Sequence, residues 1–219
     1  MLDQLLHIDN EIFLLFNGTH WPYLDRFMMI FTSRFVWIPM YAAILFVIIR
    51  NNRPTRAIWS VLAIVLAIVL ADQSCGHLIR PWVERLRPSN PSNPFSSMVH
   101  IVDGYRGGAY GFPSCHAANS FALACITTLV MRSRRVGLFI FIWAAVNSYS
   151  RLYLGVHYPG DLIAGAIAGC FCAIACYALL HCLVHGSSPD KALGQHLHTS
   201  DLVIVIGAIV VAGIAIAAI

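Results

Sequence analysis

Long apolar runs separated by short polar clusters dominate the chain, and the length of each run decides what it can form. About 18 consecutive apolar residues, wound as a helix, cross the hydrocarbon layer of a bilayer. Ala57 to Ile79, Asp161 to Val184 and Leu202 to Ile219 reach or approach that length. Phe27 to Ile49 does so too if Ser33 and Arg34 lie near one end. Phe121 to Val130 and Val136 to Ser148 are shorter, and the basic stretch Arg132-Ser133-Arg134-Arg135 between them predicts a tight helical hairpin. The pattern therefore predicts an all-α polytopic bundle of six transmembrane helices, a single domain over 1–219. Upstream, Leu2, Leu5, Leu6, Ile8, Ile12, Phe13, Leu15 and Phe16 recur at helical spacing up to Asn17-Gly18. That predicts, within an N-terminal segment 1–25, either an interfacial helix or a short buried helix of the bundle. Asp3, Asp9 and Glu11 exclude a signal peptide, which needs a basic start and an unbroken apolar run.

Composition agrees with the spans. Of 219 residues 58% are apolar and 11% charged, and the mean hydropathy is +0.72, outside the range of soluble domains. Seven cysteines form no C-x-x-C pair, so all but Cys115 read as small apolar residues of the core, and no metal site is expected. Nor is a nucleic-acid partner or a cofactor. Trp21, Tyr23, Trp37 and Trp82 fit an interfacial aromatic belt, and His196 and His198 a solvated loop.

Charge changes the picture by setting an orientation. Arg50, Arg53, Arg56, then Arg132, Arg134, Arg135, then Lys191 lie in three alternate loops, against Arg26, Arg34, Arg80, Arg85, Arg87, Arg106 and Arg151 on the opposite side. The raw count is even. Setting aside Arg80, Arg87 and Arg151 as candidate chemistry leaves the first three loops more basic, hence cytoplasmic. The longest polar segment, 80–116, is then extracytoplasmic; it lacks helical or strand periodicity and reads as a lid flanked by candidate site residues. Gly165 and Gly169, four apart, mark the helix that neighbours can approach most closely.

The chemistry gathers in three stretches at one membrane face. Ser150-Arg151, His157 and Asp161 open the span that begins near Pro159; Arg80 and Arg87-Pro88 follow an earlier one; Pro113-Ser114-Cys115-His116 precedes another. Charges at a membrane boundary are costly unless partnered. Pro159 and Asp161 suit a first helical turn, where the carboxylate can fix the tautomer of His157. Three guanidiniums, one hydroxyl, two imidazoles and one carboxylate make an anion cage, with free N–H groups where Ser114-Cys115-His116 enters a helix.

These stretches resemble the three signature motifs of the type 2 phosphatidic acid phosphatase family, K-x6-R-P, P-S-G-H and S-R-x5-H-x3-D, over about residues 57–184. Arg80 stands in place of lysine and Cys115 in place of glycine; Ser150, Arg151, His157 and Asp161 match without deviation. The resemblance implies a metal-independent lipid phosphatase in which His157 attacks phosphorus, Asp161 orients it and His116 protonates the leaving oxygen. Arg80, Arg87, Arg151, Ser114 and the Cys115 N–H would hold the phosphate. It further implies a phosphorylated lipid as partner and a bacterial inner membrane with the site extracytoplasmic. Undecaprenyl pyrophosphate and lipid A rank first as substrates, then phosphatidylglycerol phosphate and phosphatidic acid. A lipid-binding or transport protein on the same fold, a lipid phosphotransferase, a His116/His157/Asp161 metal site and a cysteine phosphatase are the competing readings. The last needs C-x5-R, and the required position is Phe121.

Overall fold

The computed structural model describes residues 2–184 and 197–219, so Lys191, His196 and the His198 side chain lie outside the described residues. In chain order the helices are α1 Leu2–Asn17, α2 Pro22–Phe31, α3 Ile38–Asn51 and α4 Pro54–Gln73. The last runs on through a π-helical turn, Ser74–Ile79, into the four-residue α5, Arg80–Val83. A 3-10 turn, Pro94–Met98, precedes α6 Cys115–Met131, α7 Arg134–Tyr153, α8 Pro159–Val184 and α9 Leu197–Ala217. Among the described residues the only β pairing is one antiparallel bridge, Leu86 with Tyr110.

Pro54–Val83, Pro159–Val184 and Thr199–Ala217 are long and apolar enough to cross a membrane. α3 and α6 are shorter apolar helices, and α7 carries Arg134, Arg135 and Arg151. The span expected from Phe27 to Ile49 is not one helix. It breaks at Thr32–Trp37, where Thr32, Ser33 and Arg34 have polar side chains to solvate and the Trp37 indole donates to the Phe31 carbonyl at 2.8 Å across the break. Pro39, in the first turn of α3, has no N–H to give to a preceding turn. Trp37 is likewise not part of an interfacial belt: it is buried, edge-on to both Phe31 and Trp143. Trp21, Tyr23 and Trp82 are exposed as expected.

α6 is the central helix, packed against α4, α7 and α8. Lipid is as apolar as leucine, so close packing rather than escape from water holds such helices together. A Cβ on Gly165 would strike the Ser114 carbonyl, and one on Gly169 the Ala118 carbonyl, so the two glycines let α8 lie backbone-to-backbone on α6. Polar pairs cross the same bundle: Asn119 donates to Asp72 at 2.9 Å and Asn147 to Ser120 at 2.8 Å. Outward faces are apolar, as with Ile163, Ile167, Phe171 and Ile174 on α8. Cys182 is exposed rather than part of the core, near the end of α8.

α1 has three faces. Phe13 and Asn17 are buried against the protein, with Asn17 bonded to the Tyr153 and His100 carbonyls. Leu5, Ile8, Ile12, Leu15 and Phe16 form an exposed apolar arc, while Asp3, Gln4, His7 and Glu11 form an exposed polar one.

The helix directions separate two ends. Arg132 reaches Tyr177 and Arg135 reaches Asp201 at one end, while all three motif stretches fall at the other. α9 returns to the motif end, where Arg26 donates to the Ile219 carbonyl at 3.2 Å.

Candidate active site

Arg151 lies in the last turn of α7. The chain then reverses at Gly155, whose φ of +75° and contact with Val99 and the His100 carbonyl leave no place for a side chain. His157 follows, and Pro159 opens α8 with Asp161 in its first turn, as the sequence predicts. Asp161 Oδ2 accepts from the Tyr158 amide at 3.0 Å and faces His157 Nδ1 at 3.4 Å, both side chains being buried.

The segment 80–116 is more ordered than its composition suggests. Arg87 N donates to the Ala109 carbonyl and Gly111 N to that of Arg85, so 85–87 and 109–111 run as a short antiparallel pair. In such a pair alternate side chains share a face, which turns both Arg85 and Arg87 toward the α8 terminus. Arg87 Nη1 lies 3.1 Å from His157 Nε2. A guanidinium can only donate, so Nε2 is an acceptor and the imidazole proton sits on Nδ1, facing Asp161. The segment closes over this pair: Gly111 has room for no Cβ beside Asp161 Oδ2, and Ser89 N bonds the Gly155 carbonyl.

Ser114 caps α6, its hydroxyl accepting from the Ala117 amide, while its own amide donates to the Asp161 carbonyl. The first helical turn leaves the Cys115 and His116 N–H groups without intrahelical acceptors. Arg80 donates through Nη2 to the Pro113 carbonyl and to Cys115 Sγ, both at 2.9 Å. The two departures from the family motifs therefore touch each other. Cys115 fits because its sulfur lies over Gly76, in the π-helical turn, where a Cβ would stand 3.3 Å away.

Arg151 donates to Thr32 Oγ1 at 3.0 Å and to the Tyr105 hydroxyl at 2.7 Å, and Thr32 Oγ1 is also 3.5 Å from His116 Nε2. The Nε groups of Arg80 and Arg151 are buried without a hydrogen-bond partner. Burial, then the charges of Arg87, Arg151 and Arg80, hold the His157 imidazole well below its ordinary value of 6.5. Burial and the neighbouring Arg151 and Arg80 lower Arg87 to about 10.

A cavity of about 800 Å³ leads to this cluster, running from Thr32, Tyr105, Cys115, His116 and Arg151 to apolar positions such as Ile44, Ile48, Ile64 and Ile68. His157, Asp161, Arg80, Arg87 and Ser114 are not among its lining residues, though Arg80 bonds the lining Cys115. All eight residues singled out from the sequence thus occur in one cluster. Sequence reasoning missed four polar neighbours: Arg85, Asp9, Thr32 and Tyr105. Arg85 carries a weak signal, the R-x-R spacing of an extended segment; the others depend on contacts with residues more than 40 positions away.

A buried histidine whose Nε2 faces the Arg87 guanidinium, among further arginines and beside a cavity with an apolar wall, is an arrangement suited to a membrane protein that handles phosphate. The chain belongs to the PAP2 superfamily, whose model matches residues 57–183. It is 47% identical to the lipid A 4'-phosphatase of Bacteroides thetaiotaomicron over 99% of this chain and 97% of that protein. The lipid A 4'-phosphatase of Porphyromonas gingivalis is 33% identical over 77% of this chain and 71% of that protein. The crystal structure of Aquifex aeolicus LpxE superposes with a TM-score of 0.55 at 26% identity, covering 77% of this chain and 93% of that one. The protein is accordingly a lipid phosphatase, a membrane-bound hydrolase.

Proposed function

We propose that this chain removes a phosphate from a lipid A-type glycolipid by way of a phosphohistidine on His157. The carrying observation is the Arg87–His157–Asp161 arrangement, which leaves Nε2 unprotonated and the Nδ1 proton facing a carboxylate. Arg87 occupies the Nε2 lone pair, so an arriving phosphate exchanges with it: oxygens take the guanidinium bonds and phosphorus takes the lone pair. The Nε2–P bond forms as the P–O ester bond breaks, and His116, which lines the cavity, gives its proton to the leaving oxygen. Water then attacks phosphorus and gives its proton to His116 as the Nε2–P bond breaks, so that phosphate leaves and both imidazoles return to their starting states. Arg80, Arg87, Arg151, Ser114 and the Cys115 N–H stabilise the charge on the equatorial oxygens. No metal or cofactor takes part.

The substrate ranking follows the similarity to lipid A 4'-phosphatases, with undecaprenyl pyrophosphate second. The chain is a single domain with α1 in the membrane interface and six crossings, in which α2 and α3 together make the first. Its active site faces the extracytoplasmic side of a bacterial inner membrane. The basic turns at Arg50–Arg56 and Arg132–Arg135 support that orientation, since each is one helix away from a motif stretch.

The test is single-turnover labelling of the parent with phosphate-labelled lipid A. Acid-labile label on His157, no turnover by His157→Ala and full activity in EDTA are expected. Label on Cys115 or an active His157→Ala variant refutes the mechanism. Faster release from undecaprenyl pyrophosphate than from lipid A reverses the substrate ranking. A single cysteine introduced at Ser92 of an otherwise cysteine-free chain should react with an impermeant maleimide in spheroplasts, and one at Ser133 should not.

A further inference from the structure

α1 lies outside the residues that the superfamily model matches, yet it reaches the back of the His157–Asp161 pair. Asp9 stands on its protein-facing side, one turn before Phe13. Asp9 Oδ1 accepts from the Gly160 amide at 2.7 Å, and Oδ2 from Arg85 Nη2 at 2.7 Å. The other arm of Arg85, Nη1, donates to Asp161 Oδ1 at 3.0 Å. One guanidinium therefore bridges two carboxylates, while its carbon lies 4.0 Å over the Tyr158 ring. Gly160 is held close enough that a Cβ there would meet Asp9 Oδ2 at 3.0 Å.

Two physical effects follow. A carboxylate at the start of α8 opposes the positive end of the helix dipole and ties down the residue immediately before Asp161. The second effect is on charge. Arg87, Arg151 and Arg80 already act on His157, and the whole charge of Arg85 on Asp161 would weaken the carboxylate that faces Nδ1. Asp9 takes a share of that guanidinium and leaves Asp161 free to support positive charge on the imidazole as phosphorus bonds to Nε2.

We infer that Asp9 is a positioning residue for phosphoryl transfer, acting through Arg85 and the Gly160 amide to hold Asp161 and its charge against His157. The inference rests on the roles proposed above for His157 and Asp161. It makes α1 part of the catalytic apparatus. The exposed arc Leu5, Ile8, Ile12, Leu15 and Phe16 is the face that seats the helix in lipid, so the phospholipid surface supports Asp9 from behind.

The test compares Asp9→Asn, Asp9→Glu, Arg85→Gln and the Asp9→Asn/Arg85→Gln pair with the parent and His157→Ala, in mixed micelles of lipid A. For Asp9→Asn, kcat should fall about tenfold with KM within about twofold of the parent, and Asp9→Glu should recover most of the loss. The acid limb of kcat/KM should move in opposite directions. Removing an anion near His157 lowers it in Asp9→Asn, and removing a cation raises it in Arg85→Gln. The double variant should lose less than the product of the two single losses, by about threefold or more. Strictly multiplicative losses, or an unmoved acid limb with kcat at the parental level while His157→Ala is dead, overturn the inference. An active His157→Ala variant overturns the proposed mechanism instead. Should Asp9→Asn fail to fold, the limb shift in Arg85→Gln and the kcat of Asp9→Glu still decide: an unmoved limb together with no recovery refutes it.

Discussion

The two sides of α6 are built on opposite rules. Toward α8 the helix meets bare backbone, because Gly165 and Gly169 have no side chains to hold it off, and the Ser114 amide is bonded to the Asp161 carbonyl. Toward α3 the same helix stands off, and the face carrying His116, Asn119 and Leu123 looks into the cavity. Phosphoryl transfer needs reacting groups held to within a fraction of an ångström, whereas a lipid needs room and a route from the bilayer. On the mechanism proposed above, the tight seam positions Ser114, His116 and Asp161 relative to one another, the loose side admits the substrate, and the chemistry sits where the two meet.

The comparison predicts that a side chain forced into the seam has the largest effect. Gly169→Leu places four carbons against the Ala118 carbonyl, and α8 must move away from α6. A loss of about 3 kcal/mol or more is expected, read as a collapse of the thermal melting transition in detergent together with loss of activity. A variant that melts and turns over normally would break the distinction.

Next comes the proposed anion cage. Arg151→Lys keeps a charge but loses the fork that spans Thr32 and Tyr105, and kcat/KM should fall about 100-fold. Cys115→Gly retains the backbone N–H and gives up the sulfur's contacts with Arg80 and the Asp72 carbonyl over Gly76, so a loss below about tenfold is expected. Steady-state kinetics on one lipid substrate compare the two directly, and a reversal of their order would place the phosphate elsewhere.

On the loose side, Ile68→Trp narrows the apolar part of the cavity without touching the cage. KM for a long-chain lipid phosphate should rise about tenfold, while a short, water-soluble phosphate monoester and the melting temperature are nearly unaffected. Equal losses on both substrates would show that the cavity does not take the chains. The smallest effect belongs to a glycine outside both regions. Gly213, in α9, has no atom within 4 Å of an added Cβ, so Gly213→Ala should raise stability by about 0.5–1 kcal/mol in a melting experiment.

Much of the site is written into local spacing. His157 and Asp161 are four apart across a helix start, and Pro159 places that start, so their pairing follows from helix geometry alone. The N-cap role of Ser114 follows in the same way. Asp9, Thr32 and Tyr105 were not legible, and Arg85 only weakly so, because each acts on a partner brought close only by packing. The break between α2 and α3 was hidden for a related reason: hydropathy averages over a window, and the three polar residues at 32–34 terminate a helix only when a cavity and an arginine are there to receive them.

The sequence by itself determined the membrane class, the helical hairpins, the family and the eight residues of its motifs. Run lengths and residue spacing are one-dimensional quantities that bilayer thickness and helix pitch convert directly into structure. Only the tertiary structure decided which tautomer His157 holds, that Cys115 and Arg80 accommodate one another beside Gly76, and that α1 delivers Asp9 to the back of the site. Those are contacts between segments far apart in the chain, and no local period encodes them. They exist because backbone packing at Gly165 and Gly169 and the short pairing of 85–87 with 109–111 bring the segments together.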